Sequence, residues 1–304
     1  MRIATACIIM MATTSIAAAA PPAPVFFDAK LEPPAGRVIS GYDDEATLAA
    51  YSKAVAPHAP AMISFEAALD FSTASPFLTK YREFADRYGF FVADVGLSFH
   101  GYERDVSIGM RDPDIIVTAN GLRAVGRPVL VRIGYDFNAP SALYEPSAYI
   151  GAFRHVTDLF HRECPNAATV WNPTAAGFSD SHYLKWYPGD DVVDWWGIHV
   201  SESHDLSRDE TEAFVEEAER HRKPLVISAT TRNLKSEAEA LRWYASMFDF
   251  VRAHSAVKAV SFGIDSRQHR WPKVASYLKQ QLADPRFIDA TEAATIFHPQ
   301  RPEE

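Results

Sequence analysis

Gly126-Arg127-Pro128-Val129-Leu130-Val131-Arg132-Ile133-Gly134-Tyr135-Asp136-Phe137-Asn138 opens on turn residues, runs on as a short apolar strand and ends polar. Apart from Arg132 the strand is apolar on both faces, which is how a strand covered on both sides of a parallel sheet reads. Similar runs lie on either side of it. Upstream are Arg37-Val38-Ile39-Ser40, Ala61-Met62-Ile63-Ser64-Phe65 and Phe90-Phe91-Val92-Ala93-Asp94-Val95. Downstream are Ala168-Thr169-Val170-Trp171, Val193-Asp194-Trp195-Trp196-Gly197-Ile198, Leu225-Val226-Ile227-Ser228 and Val257-Lys258-Ala259-Val260-Ser261-Phe262. Between them, segments 44–55, 76–88, 146–162, 208–221, 236–254 and 272–282 carry apolar residues at three- and four-residue spacing, the helical period. Asp43-Asp44-Glu45 and Ser207-Arg208-Asp209-Glu210 place acids and cap formers where helices should start.

Strict alternation of strand and helix over eight repeats predicts an α/β protein, specifically a (β/α)8 TIM barrel spanning 36–290 as one domain. No glycine-rich phosphate fingerprint follows the first strand, which counts against a dinucleotide fold. The charged, turn-rich segment Phe99–Gly121 reads as a long loop after strand three, on the face where barrels build their sites. Residues 21–35 read as a proline-rich tether and 291–304 as a C-terminal tail.

The 304 residues exceed the about 250 of a bare barrel, and 47% hydrophobic with 23% charged residues suits a packed core. A formal charge of −9, with no basic run, argues against nucleic acid or an anionic membrane as partner. Residues 1–20 carry Arg2, then an apolar run, then alanines, the layout of a secretory signal peptide rather than a membrane span. A secreted or periplasmic product, without a span in its mature form, is expected. If Cys7 leaves with the leader, Cys164 remains as the one cysteine and no internal disulfide forms.

Polar and aromatic residues gather just after the strands. Here the chain resembles glycoside hydrolase family 26, known for β-mannanases, and its uncharacterised relatives. The likeness rests on Gly126–Asn138, on Tyr187-Pro188-Gly189-Asp190-Asp191 with Val193-Asp194-Trp195, on Asn166–Trp171 and on Lys223-Pro224-Leu225-Val226-Ile227. It implies a barrel acting on a β-linked oligo- or polysaccharide without cofactor, through one glutamate after strand four and another after strand seven. By that resemblance Asp136 stands at the general acid/base position, one methylene short. Ala229 stands at the nucleophile position and leaves it vacant.

Acids at other strand ends, Glu202, Asp265 and Glu66, are candidates to replace the lost nucleophile, with Glu202, after strand six beside the nucleophile position, foremost. Arg132 could orient Asp136, bind a sugar hydroxyl or form an ion pair inside the barrel. Asn138 matches the family's asparagine after the acid/base. Tyr135 replaces a histidine found in mannanases, and both it and His199 fall among candidate substrate contacts. Trp171, Trp196 and Trp271 could each lay a ring face on a pyranose, whose faces are apolar. His199, Glu202 and His204 match no zinc spacing, so no metal site is expected. No Gly-x-Ser-x-Gly elbow supports an esterase. Three readings stay open: a glycosidase, an inactive carbohydrate-binding pseudoenzyme, or a barrel with an unrelated lyase or transferase activity, with a monomer expected.

Overall fold

The structure, a computed structural model, describes residues 22–43, 47–68, 74–89, 91–140, 144–178, 182–202, 204–231, 234–264 and 271–297. Residues 1–20, read as a leader, and Asp265, read as a candidate acid, lie outside them. Eight parallel strands follow the expected order: β1 (Val38–Tyr42), β2 (Met62–Ala68), β3 (Val92–Ser98), β4 (Val129–Ile133), β5 (Ala167–Trp171), β6 (Trp195–Val200), β7 (Leu225–Thr231) and β8 (Val257–Ile264). Each pairs with the next, and β1 pairs with both β8 and β2, which closes the barrel. The (β/α)8 expectation holds.

Side chains alternate between the two faces of each strand, as the pleat requires. Inward, Ile39, Met62, Val92, Leu130, Ala168, Val170, Trp195, Val226 and Ala259 form a floor cluster. Outward, Tyr42, Ile63, Val95, Val131, Trp171, Ile198, Ile227 and Phe262 join the larger core under the helices. Higher up, the inward positions turn polar: Ser64, Asp94, Arg132, Ser228 and Ser261, all buried. The polar cluster that positions the site sits on this upper inner wall.

The helices are α1 (Leu48–Val55), α2 (Ala74–Tyr88), α3 (Glu103–Ser107), α4 (Asp112–Val125), α5 (Pro146–Glu163), α6 (Asp209–Arg220), α7 (Glu237–Ala253), α8 (Pro272–Leu282) and α9 (Ala290–Ile296). Phe99–Gly121 is not a long loop, because α3 and most of α4 lie within it. Pro113 stands in the first turn of α4, where its missing N–H costs nothing, and Ile115, Thr118, Ala119 and Leu122 form its buried stripe. Asn120 and Gly121 inside the stripe, and the acids and arginine before it, hid that period.

The flanks also differ from a tether and a tail. From 22 to 35 the chain crosses the barrel floor, where the Trp195 indole N–H donates to the Lys30 carbonyl at 2.7 Å. Glu32 is buried and accepts from the Phe27 N–H at 2.9 Å. It also pairs with Lys258 at 3.6 Å, and Lys258 is the bulged residue where β7 and β8 shift register. At the other end a short strand, β9 (Phe287–Ile288), pairs with β1, and α9 packs Ala293 and Ile296 on the floor.

Candidate active site

Strand β4 ends in two left-handed residues, Gly134 at φ 58° and Asp136 at φ 55°. Glycine adopts this conformation freely, and aspartate is one of the side chains that tolerates it. Gly134 also leaves space for Tyr149 and Phe99, which would lie 2.7 and 2.8 Å from a Cβ there. The turn is fixed by the Asp136 N–H, which donates to the Asn172 carbonyl at 2.9 Å, and by Phe137, which is fully buried in the outer core. Asp136 is thereby held at the mouth while its neighbour anchors the turn outside the wall.

Beneath it, Arg132 is buried and its Nε donates to Asp94 Oδ1 at 2.8 Å, while Ser64 Oγ donates to Asp94 Oδ2 at 2.8 Å. Of the roles open to Arg132, the interior ion pair is the one formed. Its guanidinium lies over the Tyr135 ring, 5.2 Å from the centroid, and Gly96 makes room for that ring. Burial drives the Tyr135 hydroxyl's pKa upward, so it stays protonated. A positive charge therefore sits below the mouth, tied to one carboxylate.

His199, inward on β6, joins two walls. Its Nδ1 lies 2.8 Å from Asp136 Oδ2 and its Nε2 lies 2.6 Å from Thr230 Oγ1 on β7. Burial lowers the imidazole pKa, but the hydrogen bond and charge of Asp136 outweigh this and leave it raised. The Asp136 and His199 side chains are each a quarter exposed. Asp136 Oδ1 and Ser228 Oγ are buried without a protein partner.

Asp43 completes the cluster. It follows β1, and its N–H donates to the Phe262 carbonyl of β8 at 3.1 Å, which extends the barrel wall. Burial pushes its carboxyl up to about 7; Arg132 opposes the shift, while Asp94 and Glu66 add to it. The sequence reading placed Asp43 at a helix start, but α1 begins at Leu48 and Asp43 is a strand-end acid. Glu66, exposed at the end of β2, acts on the same group of charges.

Several expected site residues sit elsewhere. Ala229 is fully buried in the outer core, paired with Val200 and Phe262, so it faces the helices. The inward residues beside it are Ser228 and Thr230. Lys223-Pro224 counts the distance along β7 but not the pleat, and one residue of offset changes the face. Glu202 lies in the exposed loop after β6, where its N–H donates to Asp205 Oδ2 at 2.9 Å. Among the described residues, the charges that act on His199 are those of Asp136, Arg132 and Asp43.

Trp171 and Trp196 are also fully buried. Their rings stand 4.8 Å apart in an aromatic layer with Phe137, Tyr187 and Phe214, and offer no sugar platform. Both sit at outward positions of their strands. Trp271, half-buried before α8, keeps part of its ring open. Asn138 is buried with its polar atoms committed: Nδ2 donates to the Thr174 carbonyl at 2.9 Å and Oδ1 accepts from the Thr174 N–H at 2.8 Å. It locks the β4 loop to the β5 loop instead of meeting a ligand.

The Tyr187–Trp195 motif lies at the opposite, lower end of the barrel. Asp191 pairs with Arg154 of α5 at 2.6 Å, Asp194 accepts from the Thr169 N–H at 2.8 Å, and Lys223 donates to the Val193 carbonyl at 2.6 Å. Its role is architectural. Among the described residues no group of three or more His, Cys, Asp or Glu side chains could hold a metal ion. Cys164 is buried, and burial raises its thiol to about 12.

No model of a known protein family matches the chain. In sequence it is similar to the β-1,3-xylanase TXYA of a Vibrio species, at 27% identity over 255 residues, covering 68% of this chain and 54% of the xylanase. A β-1,3-xylanase of an Alcaligenes species is similar to the same degree, 27% over 257 residues with the same shares. The chain thus spans about half the length of these relatives. In fold it is similar to a family 26 β-mannanase from Bacteroides ovatus, with a TM-score of 0.65 at 13% identity, covering 88% of this chain and 95% of that one. A family 26 protein from a Muricauda species superposes with a TM-score of 0.66 at 14% identity, covering 86% and 90%. The closed parallel sheet and the likeness to these solved structures agree that the chain is a (β/α)8 barrel.

Proposed function

We propose that this protein acts on a β-linked polysaccharide at the mouth of its barrel, with Asp136 and Asp43 as the working carboxyl groups. The observation that carries the reading is Asp136, held at the strand-four position on a left-handed turn and hydrogen-bonded to His199 in a partly open cleft. Retaining hydrolysis needs a second carboxylate about 5–5.5 Å away to form the glycosyl-enzyme bond. On β7 the inward residues above the floor are hydroxyls, Ser228 and Thr230, so a single displacement by water fits the residues better. That chemistry needs one acid that is protonated and one that is ionised. Asp43, raised to about 7, is suited to give the proton to the leaving oxygen. Asp136, hydrogen-bonded to His199 at 2.8 Å, is suited to activate the water. These roles exchange the one the sequence suggested for Asp136 and replace Glu202 with Asp43.

The names of the sequence relatives make β-1,3-xylan the first substrate to try, and the fold relatives make β-mannan the second. The composition of residues 1–20 supports export, and no described helix is long and apolar enough to cross a membrane. The Ser228 and Thr230 hydroxyls also favour a second reading, a barrel that binds glycans without cleaving them. One experiment separates the two: xylo-, manno- and gluco-oligosaccharides are titrated calorimetrically, and new reducing ends are counted in parallel. Cleavage lost by about 100-fold or more in both Asp136→Asn and Asp43→Asn supports the enzyme. Binding heat with no ends released by the wild type supports the binding protein. Neither heat nor ends with any β-glycan would end both.

A further inference from the structure

Thr230, His199 and Asp136 come from three different strands and form one hydrogen-bonded line: Thr230 Oγ1 to His199 Nε2 at 2.6 Å, and His199 Nδ1 to Asp136 Oδ2 at 2.8 Å. Glycosidic cleavage as proposed above uses the carboxyls and leaves the Thr230 hydroxyl idle. We propose that this line is a nucleophile–base–orienter relay and that the same cleft hydrolyses acyl esters, with O-acylated sugars as the class of substrate. The sequence hides it, because its members are separated by 63 and 31 residues and lack an elbow motif.

The geometry is that of a hydroxyl activated by histidine, which is in turn held by a carboxylate. With Asp136 accepting from Nδ1–H, the neutral imidazole has its lone pair on Nε2, facing the hydroxyl. Thr230 is half-buried and the side chains of the other two are a quarter exposed. In the first half-reaction Thr230 Oγ1 bonds to the acyl carbon and its proton passes to His199 Nε2. The sugar oxygen then leaves with that proton, and the acyl group stays on Thr230. In the second, water adds to the acyl carbon and gives its proton to Nε2. The threonine oxygen leaves and recovers the proton, which releases the free acid. No oxidant, metal or other co-reactant is needed. Asp136 touches no reacting atom and is a positioning residue here.

Among the described residues, the charges acting on His199 are those of Arg132 on β4, Asp136 just after it and Asp43 just after β1. Since the base must be neutral, ester hydrolysis should rise with pH through the titration of His199 and then level off. Removing the Asp136 charge should move that midpoint to lower pH and lower the plateau.

The experiment uses the full chain with p-nitrophenyl acetate and with acetylated xylo-oligosaccharides, measuring released acid and reducing ends separately. Acid-quenched enzyme is digested to find any acyl adduct. Expected are acid release without a matching count of new ends, an adduct on the peptide that holds Thr230, and loss of about 100-fold or more in Thr230→Val. Thr230→Ser should keep the activity, and Asp136→Asn should shift the pH midpoint as stated. Circular dichroism on each variant separates lost chemistry from lost fold. Acid release equal in wild type and Thr230→Val, an adduct on another peptide, or no release by folded wild type would each overturn the relay. None of these outcomes bears on whether glycans are bound or cut, which the reducing-end count reads independently.

Discussion

Asp136 and Ala229 show how much a single position can carry. Asp136 was legible in the sequence because a polar residue ends an apolar strand inside a recognisable motif. Its partner was not, since His199 approaches it from β6, and Asp43, after β1, acts on the same histidine from across the barrel. Ala229 was misread because counting from Lys223 cannot tell which way the pleat faces. Two outcomes follow at this scale. Ala229→Glu places a carboxyl among the apolar side chains of the outer core. It should cost about 3–5 kcal/mol in urea unfolding and create no glycosidase. The second outcome concerns pH. The Asp43 pKa is about 7 folded and about 3.9 unfolded, so between these values the native state binds the extra proton and stability falls as pH rises. His199 has the same sign: its contribution is complete below about 6.5 and is lost as pH rises through its raised folded value. Denaturation curves at pH 5 and pH 8 should therefore show Asp43→Asn gaining on wild type as pH rises. A difference independent of pH would refute the raised value.

Helix α4 is the instructive element. Its residues look like a loop because Asp112, Pro113, Asp114 and Asn120 are turn formers, and Gly121 weakens a helix by about 1 kcal/mol. Tertiary packing overrides this. Asp112 and Asp114 lie in the first turn where the dipole favours acids, and Gly126 ends the helix in the left-handed conformation at φ 72°. Gly121 itself marks a close approach, since a Cβ there would meet Leu78 of α2 at 2.3 Å. If the stripe is buried as described, Leu122→Ala should cost about 2–5 kcal/mol by thermal or urea unfolding. A loop leucine at that position would cost almost nothing, so an effect within about 0.5 kcal/mol would return the segment to a loop. The strands, by contrast, were readable to within a few residues, because each is a run of β-branched and aromatic residues bounded by turn formers.

At the scale of the whole molecule, the floor of the barrel is closed by both ends of the described chain. Lys258 is buried there, and burial lowers its pKa while Glu32 of the N-terminal segment opposes the shift. Glu32→Gln would leave that ammonium without its counter-charge and should cost about 3–5 kcal/mol. Adding Lys258→Met should recover most of the loss in the same unfolding assay. If the single and double variants were equally unstable, the pair would not be what holds residues 22–35 to the floor. The sequence by itself determined the alternation of strands and helices, the closed barrel it implies, and the end of the sheet where Asp136 would stand. These follow from hydrophobic period and turn chemistry, which are local and read along the chain. Only the tertiary structure decided that Trp171, Trp196 and Asn138 serve packing, that Thr230 and not Ala229 faces the axis, and that His199 meets Asp136 while Asp43 acts on the same histidine. Those outcomes depend on strand register and on contacts between residues distant in the chain, where a shift of one residue exchanges the core for the cleft.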